Sequence, residues 1–158
     1  MLKKFLALQT LILAGGVVFS WSRVVIQLQT FYARYGTFFK FNDCAIPNPL
    51  VTACFYGAVA FVVALVWSGL ILQSEVFVLK NERYLRNFLL FGVCFAATVL
   101  TYEFLAFYKI IKTSGKIISC TPGVFPLYTP CFVGFLFFVG AFLVAGYIVK
   151  SQKISLAK

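Results

Sequence analysis

The chain contains no histidine and few acidic residues, and these absences exclude several kinds of active site. Its 158 residues include no His, one Met, and four Asp and Glu together. Without imidazole, no histidine can ligate haem or zinc or act as a general base. So few carboxylates provide too few ligands for a metal site and too few acids for hydrolysis by a carboxylate pair. The sequence therefore predicts no metal centre, and its composition points to no cofactor.

Charged residues of either sign are scarce, whereas apolar residues dominate. The chain is 62% hydrophobic and 11% charged, with 20 Phe. A water-soluble domain of this length could not bury so much apolar surface. Each apolar stretch has about the 20 residues that a helix needs to cross a bilayer core with its backbone hydrogen bonds closed internally. The four predicted spans are about 5–30, 52–73, 87–108 and 128–149.

The first apolar stretch begins like a secretory signal peptide. Lys3 and Lys4 precede it. The apolar run is longer than the usual 7–15 residues or so, and no small-residue cleavage motif ends it. We expect this segment to be retained as the first membrane span.

The sequence repeats itself once. Between 49–74 and 126–151, at an offset of 77, 12 of 26 positions are identical. An upstream block, Phe31, Tyr32, Thr37, Lys40 and Cys44, recurs 76 positions later as Phe107, Tyr108, Thr113, Lys116 and Cys120. Such self-similarity indicates a duplicated structural unit.

The repeat predicts the fold class. We expect one membrane domain, 1–158, made of repeat 1 (about 1–79) and repeat 2 (about 80–158). Two spans per repeat mean that both copies cross the bilayer in the same direction. The predicted fold is all-α, an integral membrane four-helix bundle of two tandem hairpins with a pseudo-twofold axis along the membrane normal. A short link at about 75–86 joins them, and 37–41 and 116–119 resemble short strands.

The net charge of +10 is explained by the membrane rather than by nucleic acid. Lys and Arg at span ends anchor and orient membrane proteins, with an excess on the cytoplasmic side. With a cytoplasmic N-terminus, eight basic residues lie inside and five outside. The inner set is Lys3, Lys4, Lys80, Arg83, Arg86, Lys150, Lys153 and Lys158, and the outer set is Arg34, Lys40, Lys109, Lys112 and Lys116. We therefore expect a multi-pass protein of the cell membrane with both termini cytoplasmic.

Four of the five cysteines fall in or beside the two outer loops. Paired cysteines belong to oxidising compartments, so their placement agrees with the charge bias. The spacings favour local disulfides, Cys44–Cys54 and Cys120–Cys131, although the crossed pairing of Cys44 with Cys131 and Cys54 with Cys120 also respects the repeat. Cys94, in span 3, is expected to be a small buried apolar residue.

The second cysteine of each pair is predicted to lie in the first turn of a span. Thr129 resembles an N-cap and Pro130 suits the first helical position, which puts Cys131 in the first turn. Cys54 occupies the equivalent place. The favoured interpretation is a structural staple at each helix entrance. The alternative is thiol–disulfide exchange, with Cys54 or Cys131 as nucleophile and Cys44 or Cys120 resolving.

Small residues recur in spans 2 and 4. In lipid, small residues allow helices to approach closely. We expect spans 2 and 4 to face the bundle centre through these positions, which are Gly57, Ala64, Ser68 and Gly69, and Gly134, Ala141, Ala145 and Gly146.

Two charges fall inside the predicted spans. Arg23 and Glu103 lie within about one helical turn of the same depth, and neither has a charged counterpart in the other repeat. Charges in a bilayer are costly and mark either a paired structural contact or a site. The sequence predicts an ion pair or polar site between spans 1 and 3.

In outline the chain is similar to membrane disulfide-forming quinone reductases of the DsbB and vitamin K epoxide reductase kind. The shared features are four spans, small size and cysteines outside the membrane, here Cys44, Cys54, Cys120 and Cys131. Their Cys-x-x-Cys is absent. The resemblance implies a quinone-linked thiol–disulfide oxidoreductase, with a quinone near Arg23.

Three functional hypotheses follow. The first is a non-catalytic structural or assembly component with disulfide-stapled loops, which packs against a membrane-protein partner or another copy of itself. The second is the thiol–disulfide oxidoreductase, the one enzyme activity that the sequence suggests. The third is a small transporter or channel assembled as an oligomer. Partners are the lipid bilayer and other membrane helices, not nucleic acid.

Overall fold

The computed structural model describes residues 2–39, 48–74, 78–111 and 125–156. Within these ranges the chain is all-helical, and four helices are long and apolar enough to span a membrane, as predicted. The protein is therefore a small multi-pass helical bundle. The helices are α1 (Leu2–Tyr35), α2 (Ala53–Gln73), α3 (Val78–Phe107) and α4 (Pro130–Leu156), with short 3₁₀ turns at Pro49–Val51 and Pro126–Tyr128.

The helices form a four-cornered bundle with unequal diagonals. α1 packs against α2 and α4, and α3 packs against the same two helices. α2 and α4 meet across the short diagonal, where the rings of Phe61 and Phe138 stack with centroids 4.0 Å apart. We call the end at which α2 and α4 begin the cysteine end, and the opposite end the terminal end.

Two glycines admit these stacked rings into the centre of the bundle. A Cβ atom on Gly16 would lie 2.7 Å from Cε1 of Phe61, and one on Gly92 would lie 2.7 Å from Cε1 of Phe138. Real Cβ atoms do not approach a ring so closely in close-packed interiors, so only glycine fits without a shift. The glycines with the closest ring contacts thus lie on α1 and α3.

The outside of the bundle is apolar, as a lipid environment requires. Large hydrophobic side chains are exposed along the helices, and the core holds a smaller set of Leu, Phe and Ile. In water this surface would be a strong aggregation liability. Examples at least 60% exposed are Leu11, Val18, Leu70, Phe91 and Leu143.

Two local predictions differ from the structure. The link was expected at about 75–86, but α3 already begins at Val78, and 75–77 lie outside the described residues. Lys, Glu and Arg are good helix formers, so a polar run such as Lys80–Arg83 continues the helix beyond the apolar span. Thr37–Phe39 form no strand. The rest of that predicted strand, and all of the second at 116–119, lie outside the described residues.

Candidate functional site

The chain enters α2 and α4 in the same way. Each helix follows a 3₁₀ turn that begins with proline, and each turn is followed by a threonine. The hydroxyl of Thr52 donates to the carbonyl oxygen of Pro49 at 2.7 Å, and that of Thr129 donates to Pro126 at 2.7 Å. α4 starts at Pro130 as predicted, but the threonine hydroxyls bond backward to the turn. These turns fix the direction in which the first helical residues point.

The two helix starts bring Cys54 and Cys131 together. Their Sγ atoms lie 3.5 Å apart, although the residues are 77 positions apart in the chain. This distance exceeds an S–S bond of about 2.05 Å. It matches the roughly 3–3.5 Å at which reacting atoms sit before attack. Sequence reasoning paired each of these cysteines with Cys44 or Cys120 and missed this contact.

The predicted disulfides depend on cysteines outside the described residues. Cys44 and Cys120 fall in that undescribed part of the loops. Cys54 is itself disulfide-bonded, and at 3.5 Å Cys131 is not its partner. The pairings Cys44–Cys54 and Cys120–Cys131 stay predictions, as does the crossed alternative. Cys94 was expected to be buried, but it is exposed on the surface of α3, where lipid would surround it.

Glu103 is a buried carboxylate beside this sulfur pair. Its side chain is 4% exposed, and Oε2 lies 3.1 Å from the Thr129 hydroxyl oxygen. A hydroxyl donor offsets part of the cost of burying a carboxylate in an apolar bundle. Glu103 and Thr129 thus form a buried polar pair at the start of α4.

Arg23 lies on the α1 side of the same region. Its side chain is exposed, and the guanidinium carbon is 5.5 Å from the centroid of the Phe19 ring, a cation–π distance. The structure assigns other contacts to Arg23 and to Glu103, and the ion pair between them stays a prediction.

A small cavity joins these groups. It has a volume of about 60 Å³, is lined by residues of all four helices, and borders the stacked Phe61 and Phe138 rings. Its lining is almost entirely apolar. Polar and sulfur-bearing contributions come from Ser20, Arg23, Cys54 and Cys131. Both sulfurs thus border one apolar cavity.

The predicted packing residues divide into two groups. Ala64, Ser68, Ala141 and Ala145 are all fully buried at helix contacts. A Cβ atom on Gly57, Gly69 or Gly146 would meet nothing within 4 Å, and one on Gly134 would lie 3.9 Å from Phe61. The glycines of spans 2 and 4 are thus not the points of closest approach, because the phenylalanine rings of these helices project toward α1 and α3 instead.

A second polar pair lies near the terminal end. Gln9 and Glu82 are 0% exposed and face each other, yet none of their side-chain oxygen or nitrogen atoms makes a hydrogen bond of ordinary geometry with the described residues. Sequence reasoning missed this pair because Glu82 was assigned to the link. The available signal was Gln9, a polar residue near the start of an apolar span.

The described residues contain no group of three or more His, Cys, Asp or Glu side chains that could hold a metal ion. Comparison with models of protein families, with curated proteins and with solved structures finds no match for this chain, so its function has to be argued from the site alone.

Proposed function

We propose that the protein is an integral membrane thiol–disulfide oxidoreductase in which Cys54 and Cys131 exchange or share a disulfide. The observation that carries this proposal is the 3.5 Å separation of their sulfurs. A staple within each loop sets no requirement on the distance between the two helix entrances. Sulfur-to-sulfur attack does require the two sulfurs to lie close together, because a thiolate reacts only with a disulfide sulfur that it can reach.

The proposed reaction is the oxidation of dithiols outside the membrane. A client dithiol reduces the Cys54–Cys131 disulfide by exchange, which yields a client disulfide and two thiols on the chain. Reoxidation of these thiols releases two electrons and two protons, and a quinone that takes up both becomes a quinol. Because such an acceptor dissolves in lipid, the apolar cavity beneath the sulfurs and the nearby Arg23 favour this chemical class.

The second candidate is the non-catalytic membrane component expected from sequence. Its support is the packing of Phe61 and Phe138, which joins the two hairpins without any sulfur chemistry. In that case Cys44–Cys54 and Cys120–Cys131 hold the loops at the helix entrances, and the bundle acts by contact with a partner or with another copy. A chain-entropy estimate gives each such loop roughly 2–3 kcal/mol of stabilisation.

We also propose that the hairpins α1–α2 and α3–α4 are related by a pseudo-twofold axis along the membrane normal. Support comes from matched burial: four buried positions on α2 recur as buried positions 77 residues later on α4. Buried pairs are Phe61 and Phe138, Ala64 and Ala141, Ser68 and Ala145, and Ile71 and Ile148. With the charge bias, this symmetry favours a cell-membrane protein whose cysteine end is outside and whose termini are cytoplasmic.

The activity is tested with purified protein in lipid nanodiscs. A dithiol client and a short-chain quinone are supplied, and quinol formation is followed by absorbance. Turnover is expected for the native chain and for Cys94→Ser, and loss below one hundredth of that rate is expected for Cys54→Ser and Cys131→Ser. Equal turnover in Cys131→Ser and Cys94→Ser contradicts the proposal. If the native chain shows no turnover and peptide mapping under non-reducing conditions finds only local disulfides, the staple candidate replaces it.

The orientation is tested separately by labelling intact cells with a membrane-impermeant maleimide after mild reduction. A chain that retains only Cys44 or only Cys120 is expected to label from outside. A chain whose single cysteine comes from Arg83→Cys, an exposed position at the terminal end, is expected to label only after lysis. The reverse pattern refutes the orientation and leaves the chemistry of the sulfur pair open.

A further inference from the structure

We propose that Gln9 and Glu82 form a buried proton-binding site at the terminal end of the bundle. The ligand is a single proton, which Glu82 holds as a carboxylic acid. The acid is paired with the Gln9 amide through two hydrogen bonds. The two residues come from opposite corners of the bundle, α1 and α3, so the site exists only when the hairpins are assembled.

The two side chains enter the interior at nearly the same depth. Gly16 and Gly92 both lie against the central stacked rings, which fixes the register of the parallel helices α1 and α3. Gln9 is seven residues before Gly16, and Glu82 is ten residues before Gly92. This difference of three residues corresponds to about 4.5 Å of helix rise. Both side chains are 0% exposed, so both point into the bundle.

The neighbouring helices leave room for two long side chains at this depth. At the centre of the bundle, two phenylalanine rings fill the short diagonal. Seven residues further along α2 and α4, the corresponding residues are Ser68 and Ala145, both 0% exposed. Ser68 lies at the depth of Gln9, because its hydroxyl oxygen is 2.8 Å from that of the adjacent Thr10. Small residues on α2 and α4 therefore leave the interior between α1 and α3 to Gln9 and its partner.

The other inward residues at the depth of Glu82 are apolar. Leu6, Ile71 and Ile148 are each ten residues from the central glycine or phenylalanine of their own helix, and none is more than 3% exposed. Arg86, one turn along α3, donates to Asn87. The remaining charged or titratable side chains described at this end are exposed, and they are Lys3, Lys4, Lys80, Arg83, Tyr84, Tyr147 and Lys150. An ionised carboxylate is costly in such an interior and is neutralised by a bound cation or a proton.

The hydrogen-bonding groups of the pair favour a proton. Neither side chain makes a hydrogen bond of ordinary geometry with the described residues. An ionised Glu82 only accepts, and so does the Gln9 oxygen. A proton on Glu82 supplies the missing donor: its O–H bonds to Gln9 Oε1, while Gln9 Nε2–H bonds to the other oxygen of Glu82. A hard metal cation takes about six oxygen ligands or more, whereas this pair has three oxygens.

A third polar side chain lies between the site and the aqueous surface at the terminal end. Gln152 is one helical turn beyond Ile148 on α4. Its Oε1 atom is buried and accepts no hydrogen bond from the described residues. An acceptor at this position shortens the apolar barrier that a proton crosses. We therefore place the exchange route along the last turns of α4.

The proton site is remote from the sulfur pair. Ile148, at the depth of Glu82, is 17 residues after Cys131 on α4, or about 25 Å of helix. The site therefore does not depend on the proposed oxidoreductase activity, and a failure of quinone turnover leaves it standing. Holding this proton near pH 7 costs free energy, because a glutamate in water is ionised there. The pair is thus kept for binding rather than for stability.

The test is infrared difference spectroscopy of the full chain in lipid nanodiscs near pH 7. A protonated carboxylic acid has a C=O stretching band that an ionised carboxylate lacks. The native chain is expected to show this band, and Glu82→Gln is expected to lose it. Glu103→Gln makes the matched substitution at the other buried carboxylate and is expected to keep the Glu82 band.

Two further variants test the pairing with Gln9. A hydrogen bond to a carbonyl oxygen lowers its stretching frequency, so Gln9→Leu is expected to shift the acid band to higher frequency. The exchanged variant Gln9→Glu/Glu82→Gln keeps one acid and one amide and is expected to recover the native band position. An unshifted band in Gln9→Leu contradicts the pairing.

The route is tested by the rate at which the acid band shifts after transfer into heavy water. Gln152→Leu is expected to slow this exchange about tenfold, the effect of one lost hydrogen bond. Gln27→Leu is the control, because Gln27 also has a buried oxygen but lies at the cysteine end. Equal rates in the two variants contradict a route through Gln152.

Three outcomes overturn the proton site. The native chain has no acid band near pH 7, the band disappears when sodium chloride replaces choline chloride at constant pH, or Glu82→Gln keeps the native band. The second outcome means that Na⁺ occupies the site. The first two need only the native chain, so they decide the matter if a variant does not assemble.

Discussion

The two hairpins agree in their central apolar contacts and differ in most of their buried polar side chains. In each, a phenylalanine of the second helix lies against a glycine of the first, and the nearest ring atoms would be 2.7, 2.8 and 3.2 Å from an added Cβ at Gly16 and at Gly92 alike. Apart from the matched threonine bonds at the starts of α2 and α4, the buried polar side chains follow no such rule. A ring at the centre of a close-packed bundle fits in only one position, so the residues around it can vary little between the hairpins. A polar side chain needs only one nearby partner and can differ.

The polar differences lie at both ends of the bundle. At the cysteine end the second hairpin has Glu103 where the first has Gln27. At the terminal end Gln9 and Glu82 correspond, at the repeat offset of 76, to Leu85 and Leu6. A polar group kept in an apolar interior costs free energy unless it is satisfied. We therefore expect function, rather than packing, to explain the polar residues at Gln9, Glu82 and Glu103, where the two repeats differ.

The largest expected effect on stability concerns the matched glycines. Gly16→Ala and Gly92→Ala should each destabilise the bundle by about 3 kcal/mol, the upper part of the usual overpacking range. Neither ring can retreat, because Phe61 and Phe138 already stack at 4.0 Å. Unfolding in mixed micelles with increasing dodecyl sulfate measures the change. Gly69→Ala and Gly146→Ala, where a Cβ meets no atom within 4 Å, are the controls.

Equal losses at Gly16 and Gly92 would strengthen the proposed pseudo-symmetry. A loss at one glycine only would mean that the hairpins pack differently under solution conditions. Losses of similar size in the two control variants would mean that contact with the rings is not the cause, because helix propensity alone favours Ala over Gly.

The second largest expected effect on stability concerns the two buried carboxylates, Glu82 and Glu103. Glu82→Leu should stabilise the protein by about 1–2 kcal/mol, because it removes an unsatisfied buried polar group and a leucine suits this apolar interior. Its surroundings are the core leucines near the terminal end, including Leu85 and Leu89. Glu103→Leu should destabilise, since Thr129 loses its carboxylate partner. Thermal inactivation followed by size-exclusion chromatography measures both changes.

A loss of stability in Glu82→Leu equal to that in Glu103→Leu would show that Glu82 has a stabilising partner in the membrane, such as an ordered water. Glu82→Gln is the conservative control, because it keeps the volume and one oxygen acceptor, while an NH₂ donor replaces the other oxygen and the charge is lost.

Several of these features were accessible from the sequence, and the reasons for the others are physical. Hydropathy predicted the four helices because lipid leaves a backbone few alternatives, and the Thr129–Pro130 pair predicted the start of α4. The contact of Cys54 with Cys131 was not predictable, since it depends on which helices share the short diagonal. The beginning of α3 was misplaced because hydropathy ends where the apolar span ends, whereas helix propensity continues through Lys80–Arg83.

The smallest expected effect concerns a polar contact that only one hairpin can make. The hydroxyl oxygens of Thr10 and Ser68 lie 2.8 Å apart, and Thr10 also donates to the carbonyl oxygen of Leu6. Because Ser68 corresponds to Ala145, the second hairpin has no such bond. A double-mutant cycle of Thr10→Val and Ser68→Ala should give a coupling of about 0.6 kcal/mol, the average for hydrogen bonds between membrane helices. A coupling near zero would mean that Thr10 is satisfied by its own helix through Leu6, and that the hairpins differ in sequence here without differing in stability.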